Sequence, residues 1–259
     1  MTSSLTPSTP LQPRKRAILV GACGGLGTAL SRKLAREGWT LALLSRQTDC
    51  PTQLSAELNT DGLTRALAYE HDVTNYEEVP SLLKRVLADI GGVDLFIFNA
   101  GINLPPGMDK MNADDDIKMM EVNLLGAVAW FAPIGDLMKD AKNGMIVGIS
   151  SVAGDRGRIT NPGYNTSKAG MTTYLEALRN RLTRHGVHVL TVKPGFIATD
   201  MLRSSAGPKP FTITPERAAD DIYKAIRKRK QTVYTHPIWG WIMLAIQHTP
   251  SVIFRRLNF

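Results

Sequence analysis

Ala17-Ile-Leu-Val-Gly-Ala-Cys-Gly-Gly-Leu-Gly27 is the stretch whose reading decides the fold. Its first five residues are an apolar run closed by glycine, the pattern of a short strand buried on both faces. Leu26, Leu30 and Leu34 then recur at helical spacing through Leu26–Arg36. Between strand and helix stands a Gly-x-x-x-Gly-x-Gly turn made by Gly21, Gly25 and Gly27. Such a turn lets backbone N–H groups approach a pyrophosphate at the positive end of the helix. Glycines also serve as plain punctuation, but this placement, after a buried strand near the start of a domain, favours a cofactor.

Outward from this unit the alternation continues. Leu41–Leu44, Ala66–Tyr69, Val93–Phe98, Gly144–Ile149, Val187–Val192 and Thr232–Thr235 read as strands. Tyr76–Ile90, Asp114–Leu137, Pro162–Arg184 and Pro215–Arg229 read as helices, the last with Thr214 as its N-cap. Continuous apolar strands, each followed by a helix, predict an α/β fold of the Rossmann type. About seven parallel strands, doubly wound with helices on both faces, are expected in a single domain. The organisation expected is a disordered lead-in over 1–15, a catalytic domain over 16–236 and an apolar, basic tail over 237–259.

A chain of 259 residues with 43% apolar content can bury a core without disulfide staples. Its two cysteines, Cys23 and Cys50, are expected as free thiols in a reducing compartment, hence a cytoplasmic location, with Cys23 simply a small residue in a tight turn. The Ser/Thr/Pro-rich lead-in lacks the apolar run of a secretory signal; a transit peptide is the alternative. No apolar run is read as long enough for a membrane span. The net charge of +8 is concentrated at Arg14–Arg16 and Lys224–Lys230, without an aromatic-interleaved stripe, so nucleic acid is not expected as a partner. Five scattered histidines carry no ligand spacing, and no metal site is expected.

The chemistry-bearing motif is Tyr164-Asn-Thr-Ser-Lys168. Positions i and i+4 share a helix face, so phenol and ammonium can lie side by side. A unit charge ~4 Å away at an effective dielectric of ~20 is worth roughly 4 kcal/mol, enough to bring a tyrosine from ~10 to about 7. A phenol titrating there suits proton transfer to a carbonyl oxygen. By itself the pair is equally compatible with an ordinary helix surface.

The glycine turn, Asn99-Ala100-Gly101 after the fourth strand, Asn123, Ser151 after the fifth, Tyr164-x-x-x-Lys168 and Pro194-Gly195 after the sixth stand in order. Together they resemble the short-chain dehydrogenase/reductases of the single-domain branch, from about Arg16 to Met201. The resemblance implies that Tyr164 is the acid/base, that Lys168 lowers its pKa and holds the nicotinamide ribose, and that Ser151 polarises the substrate oxygen. Asn123 would hold a water in a proton relay to Lys168. The cofactor carries the hydride, so no metal is needed. Gly21, Gly25, Leu26 and Gly27 would cradle the pyrophosphate. Asn99, with Ala100 and Gly101, would face the adenine-side ribose, Asp72 and Val73 the adenine, and Thr199, beyond Pro194-Gly195, the nicotinamide amide. Val20 and Phe98 depart from the family's usual Thr and Asn at two strand ends. Two other classes remain open on this scaffold: a nucleotide-binding regulator without activity, and an isomerase or dehydratase using the same tyrosine.

At the second strand's end Ser45 and Arg46 stand where NAD-selective members carry an acid, which favours NADP(H) over NAD(H) through an arginine grip on the 2′-phosphate. Substrate specificity is expected from Ile102–Met108, Val152–Asn161 and Asp200–Ile213, the last with an apolar character from Met201, Leu202 and Phe211 beside Gly207 and Pro208. An apolar small-molecule alcohol or carbonyl is the expected substrate. Arg156 and Arg158 are expected to face water, with an anionic substrate end as the alternative. The helices Asp114–Leu137 and Pro162–Arg184 are expected to make a homodimer or homotetramer. The segment 237–259, with its apolar run through Leu257, has three readings: packing on its own domain, packing on a second subunit, or peripheral contact with a membrane.

Overall fold

The computed structural model describes residues 15–60, 65–104, 111–203 and 209–256. The expected lead-in but for Lys15, Arg14, residues 105–108 of one specificity segment, Gly207, Pro208 and Leu257 lie outside the described residues. Seven strands form one sheet: β1 (Arg16–Val20), β2 (Thr40–Ser45), β3 (Ala66–Glu70), β4 (Leu95–Phe98), β5 (Gly144–Ile149), β6 (Val187–Pro194) and β7 (Thr232–Thr235). Their order is β3-β2-β1-β4-β5-β6-β7, every neighbouring pair parallel. This is the doubly wound single domain expected.

Parallel strands alternate their side chains between two helical layers, and here both are apolar. One layer holds α1 (Gly25–Arg36), α2 (Asp49–Leu58) and α8 (Pro215–Arg227), burying Leu30, Leu34, Leu54 and Ile222 against Leu19, Leu43 and Val192. The other holds α3 (Val79–Ile90), α5 (Gly126–Ala141) and α6 (Pro162–Leu182), with Trp130, Phe131, Val86 and Leu175 against Ile18, Phe96 and Ile146. Thr214 caps α8 as expected, its hydroxyl accepting from the Arg217 amide at 3.2 Å. The helix α2 was not anticipated, because it buries only Pro51, Leu54 and Leu58, too few for a period to show.

The expected helix Asp114–Leu137 is continuous but not uniform. After α4 (Ala113–Met120) one turn, Glu121–Leu125, widens to a π-helix before α5 begins. Such insertions are frequent at functional sites, and this one carries fully buried Asn123. By length and composition Ala113–Ala141 is apolar enough to cross a bilayer, contrary to the expectation that no segment would be. Within it Trp130, Phe131, Ile134 and Met138 are buried in the sheet-facing cluster, while Ile117, Leu125 and Leu137 are exposed.

Cys23 and Cys50 are joined in a disulfide, their Cα atoms 6.0 Å apart, which corrects the expectation of free thiols. The cause is α2: starting straight after β2, it brings Cys50 against the β1–α1 turn, a proximity no spacing in sequence reveals. The inference of a reducing, cytoplasmic compartment from cysteine usage loses its basis with it.

The tail folds as α9 (Ile238–His248) and α10 (Ser251–Phe254). Trp239 and Met243 are buried against Val152, with Phe196, Tyr234, Ile242 and Ile246 packed around them. One face of the tail therefore belongs to its own domain. Arg156, expected in water, fixes it there: its guanidinium donates to the carbonyls of Ile246 and of Thr249 (2.6 Å) at the end of α9 and lies 4.0 Å from the Phe254 ring centroid.

Candidate active site

In a doubly wound sheet, ligands bind at the carboxyl ends of the strands where the order reverses. That point lies between β1 and β4, and the glycine turn occupies it. Gly21 has φ +84°, and a Cβ there would stand 2.4 Å from the Ala100 amide nitrogen, so the turn rests directly on the end of β4. Backbone amides of Gly21 and Ala22 donate to the Leu44 carbonyl (2.9 and 3.0 Å), and Asn99 Nδ2 donates to the Gly21 carbonyl at 2.7 Å. Asn99 thus braces the turn. Gly24 at the N-cap of α1 brings no side chain, and no side chain caps the helix. A rigid turn with an uncapped helix start fits a pyrophosphate on Gly25, Leu26 and Gly27. Thr199, beside the position a Gly25 Cβ would take, borders the same turn.

At the β2 end of the crevice, Ser45 closes β2 half-buried and Arg46 follows exposed. Asp72 accepts from the Thr74 amide (2.9 Å) and hydroxyl (2.8 Å). The Thr74 amide chiefly, with its hydroxyl and the nearby Arg46 charge adding, holds the Asp72 carboxyl below its usual range. Val73 is buried, packed against Gly126 at the start of α5. The disulfide crosses this end of the crevice, linking the phosphate turn to the first turn of α2.

At the other end, α6 is set by its own start. Asn161, at φ 55°, accepts from the Tyr164 amide, Pro162 occupies the first turn, and Asp116 accepts from the Gly163 amide at 3.0 Å. Tyr164 and Lys168 emerge one turn apart. Lys168 is buried, donates to the Ile149 carbonyl at 3.0 Å, and is lowered to about 8 by burial. Its ammonium is 5.8 Å from the Tyr164 ring centroid. Burial raises the Tyr164 phenol above its ordinary value; a hydrogen bond from Ser151 and the charge of Arg158 pull it down. The lowering expected from Lys168 is therefore not what this structure shows, because that ammonium is directed to a carbonyl. Arg158, expected in water, acts on the phenol instead.

Asn123 Oδ1 accepts from the Ile102 amide (2.7 Å), and its Nδ2 donates to the Ile102 carbonyl (2.9 Å) and the Ser167 hydroxyl (3.1 Å). A Cβ on Gly101 would stand 3.1 Å from Asn123 Oδ1 and 3.3 Å from Lys168 Nζ, so these three form one wall. Ser151 follows β5 and accepts from the Ala153 amide at 3.1 Å.

Three features of this end carry no signal in the sequence. Trp239 of α9 lies on Gly195: a Cβ there would be 2.0 Å from the indole nitrogen, so only glycine admits the ring. Asp155, its side chain 1% exposed, pairs with Lys193 of β6 and accepts from the Tyr234 hydroxyl of β7 at 2.8 Å. Phe211 meets Trp239 edge-on at 6.2 Å. Tail, sheet end and the loop after Ser151 are thereby one packed unit.

A glycine-rich turn at the sheet's reversal point, leading to a phenol, a hydroxyl and an ammonium at one end of the crevice, fits a nucleotide-dependent oxidoreductase. The short chain dehydrogenase family model matches residues 15–209. The chain is 32% identical over 186 residues to the 3-oxoacyl-[acyl-carrier-protein] reductase of Synechocystis, covering 71% of this chain and 75% of that one. Among solved structures it superimposes on a short chain dehydrogenase from Burkholderia cenocepacia in complex with NADP (TM-score 0.79, 25% identity, 95% and 98% of the two chains). A short chain dehydrogenase/reductase from Burkholderia phymatum in complex with NAD shares the fold (TM-score 0.81, 23% identity, 92% and 96%). The protein belongs to the short-chain dehydrogenase/reductase family and is an oxidoreductase of that family.

Proposed function

We propose that the protein interconverts a carbonyl and a secondary alcohol on an apolar substrate with NADP(H), Tyr164 acting as acid/base. The observation that carries this reading is the convergence of the Tyr164 phenol, the Ser151 hydroxyl and the buried Lys168 ammonium at one end of the crevice. When bound, the nicotinamide supplies or accepts the hydride. Ser151 and Tyr164 hold the substrate oxygen between them. Because burial keeps the phenol neutral, Tyr164 carries at neutral pH the proton that a carbonyl oxygen takes up on reduction. Lys168 would hold the nicotinamide ribose, and Asn123, on the same wall as Gly101 and Lys168, would take part in the water relay expected of it. Pro194, Gly195 and Thr199 would contact the nicotinamide.

NADP(H) is favoured by exposed Arg46 at the end of β2, with no acid at Ser45 or Arg46 to repel a 2′-phosphate. Charge-assisted hydrogen bonds are worth about 1.5–3 kcal/mol. Arg46→Ala should therefore raise the NADPH KM by roughly tenfold or more and leave the NADH KM nearly unchanged. Steady-state kinetics with both cofactors measure this, and a wild-type preference for NADH refutes the assignment.

An apolar substrate is supported by Val152, Trp239 and Phe211 around the far end of the site, and the Synechocystis relative is named for a 3-oxoacyl substrate. NADPH consumption over a panel of 3-oxoacyl esters and polar keto-sugars tests it; faster turnover of the sugars overturns it. Assembly as a homodimer or homotetramer is proposed through the helices over Ala113–Ala141 and α6, where Leu125 and Leu137 stay exposed. Light scattering at micromolar concentration should give at least the dimer mass, and a monomer excludes it.

A further inference from the structure

The tail's other face is exposed among the described residues. On α9 the buried residues are Trp239 and Met243, flanked by half-buried Ile242 and Ile246. The outward residues Trp241, Leu244, Ala245 and His248 recur at the i, i+3, i+4, i+7 spacing of a second helix face. Trp241 is 75% exposed and Leu244 48%, and Val252 and Ile253 of α10 are exposed beyond them. Four large apolar side chains left in water on one short segment mark an interaction surface.

Charge decides which kind. From Ile222 to Phe259 the sequence contains no Asp or Glu, while Lys224, Arg227, Lys228, Arg229, Lys230, Arg255 and Arg256 lie within it. The lysines are contiguous with the tail: Lys224, Lys228 and Lys230 line, with Tyr234 and one acid, Asp221, which Arg217 pairs at 3.3 Å, an open groove that reaches Pro237, the N-cap of α9. Arg255 and Arg256 stand exposed just after α10. An exposed tryptophan and aliphatic residues bordered on both sides by cations, over 38 residues without an acid, match the interfacial region of an anionic bilayer. There Trp takes headgroup depth and Lys and Arg meet the lipid phosphates.

We propose that the outward face of α9 and α10, with the basic groove beside it, docks the protein peripherally on anionic membrane surfaces. The full chain should co-sediment with vesicles of phosphatidylcholine in which a third of the lipid is phosphatidylserine, far more than with phosphatidylcholine alone. High salt should release it, because the charge contribution is screened within a few ångströms at molar ionic strength. Trp241→Ser with Leu244→Ser, both on the exposed face, should lower vesicle affinity at least tenfold while melting temperature stays at the wild-type value. Lys228→Glu with Lys230→Glu should do the same on anionic vesicles. Absence of sedimentation at low salt overturns the proposal. So does binding insensitive to the Trp241/Leu244 variant, which makes the attraction unspecific. If that variant instead converts a wild-type oligomer to monomer, the face is an interface with a second copy and the proposal fails.

Discussion

Replacing Tyr164 by Phe is expected to lower kcat by roughly 10²–10⁴-fold, the worth of general acid–base catalysis, while NADPH affinity stays near wild type. The substitution removes one oxygen and its proton, with the Ser151 hydrogen bond to it, and leaves Lys168 and Asn123 held by other groups. Lys168 is held by the Ile149 carbonyl and Asn123 by Ile102. The pH dependence has a definite sign. Reduction needs the protonated phenol, so activity is present at low and neutral pH and falls as pH rises through the phenol's pKa. Burial pushes that limb upward, and Ser151 and Arg158 move it back. Single-turnover reduction and fluorescence titration of NADPH separate chemistry from binding. A Tyr164→Phe enzyme keeping more than about a tenth of kcat removes the tyrosine from its role.

Asp155→Asn is expected to cost about 3–5 kcal/mol of stability and lower the melting temperature by about 10 °C. The Asp155 side chain is 1% exposed and its partner on Lys193 11%. Deleting the negative charge leaves a buried ammonium without a counter-charge and loosens Tyr234, whose phenol is pushed up by burial and by that carboxylate. The pair joins the loop after Ser151 to β6 and β7, so the same variant should also raise the KM for substrate. Thermal denaturation followed by circular dichroism measures the first effect. A shift under about 2 °C means that the pair contributes nothing net to stability.

The fold was legible because the signals that specify it are local. Each buried strand is a continuous apolar run, from Ala17–Val20 to Gly144–Ile149, and each glycine or capping residue marks a boundary within its own few positions. The site's order along the chain was legible for the same reason: Ser151, Tyr164 and Lys168 sit at strand ends or one helical turn apart. What escaped depends on contacts distant in sequence. The Cys23–Cys50 bond required α2, whose three buried residues leave no period to read. Trp239 meets Gly195 across 44 positions of chain, and Asp155 meets Tyr234 across 79. The Tyr164–Lys168 coupling looked sufficient from spacing alone. It ignored the carbonyl of Ile149, which competes for the ammonium, and the burial that dominates the phenol.

The contact of Trp239 with Gly195 also sets what a shortened chain would keep. A cut before Pro237 leaves all seven strands, the glycine turn and the Tyr164 helix in place. It removes the indole that lies on the Gly195 backbone and the α9 packing on Val152. The last stretch of chain is therefore part of the wall beside β6, and trimming it uncovers the substrate end while sparing the glycine turn.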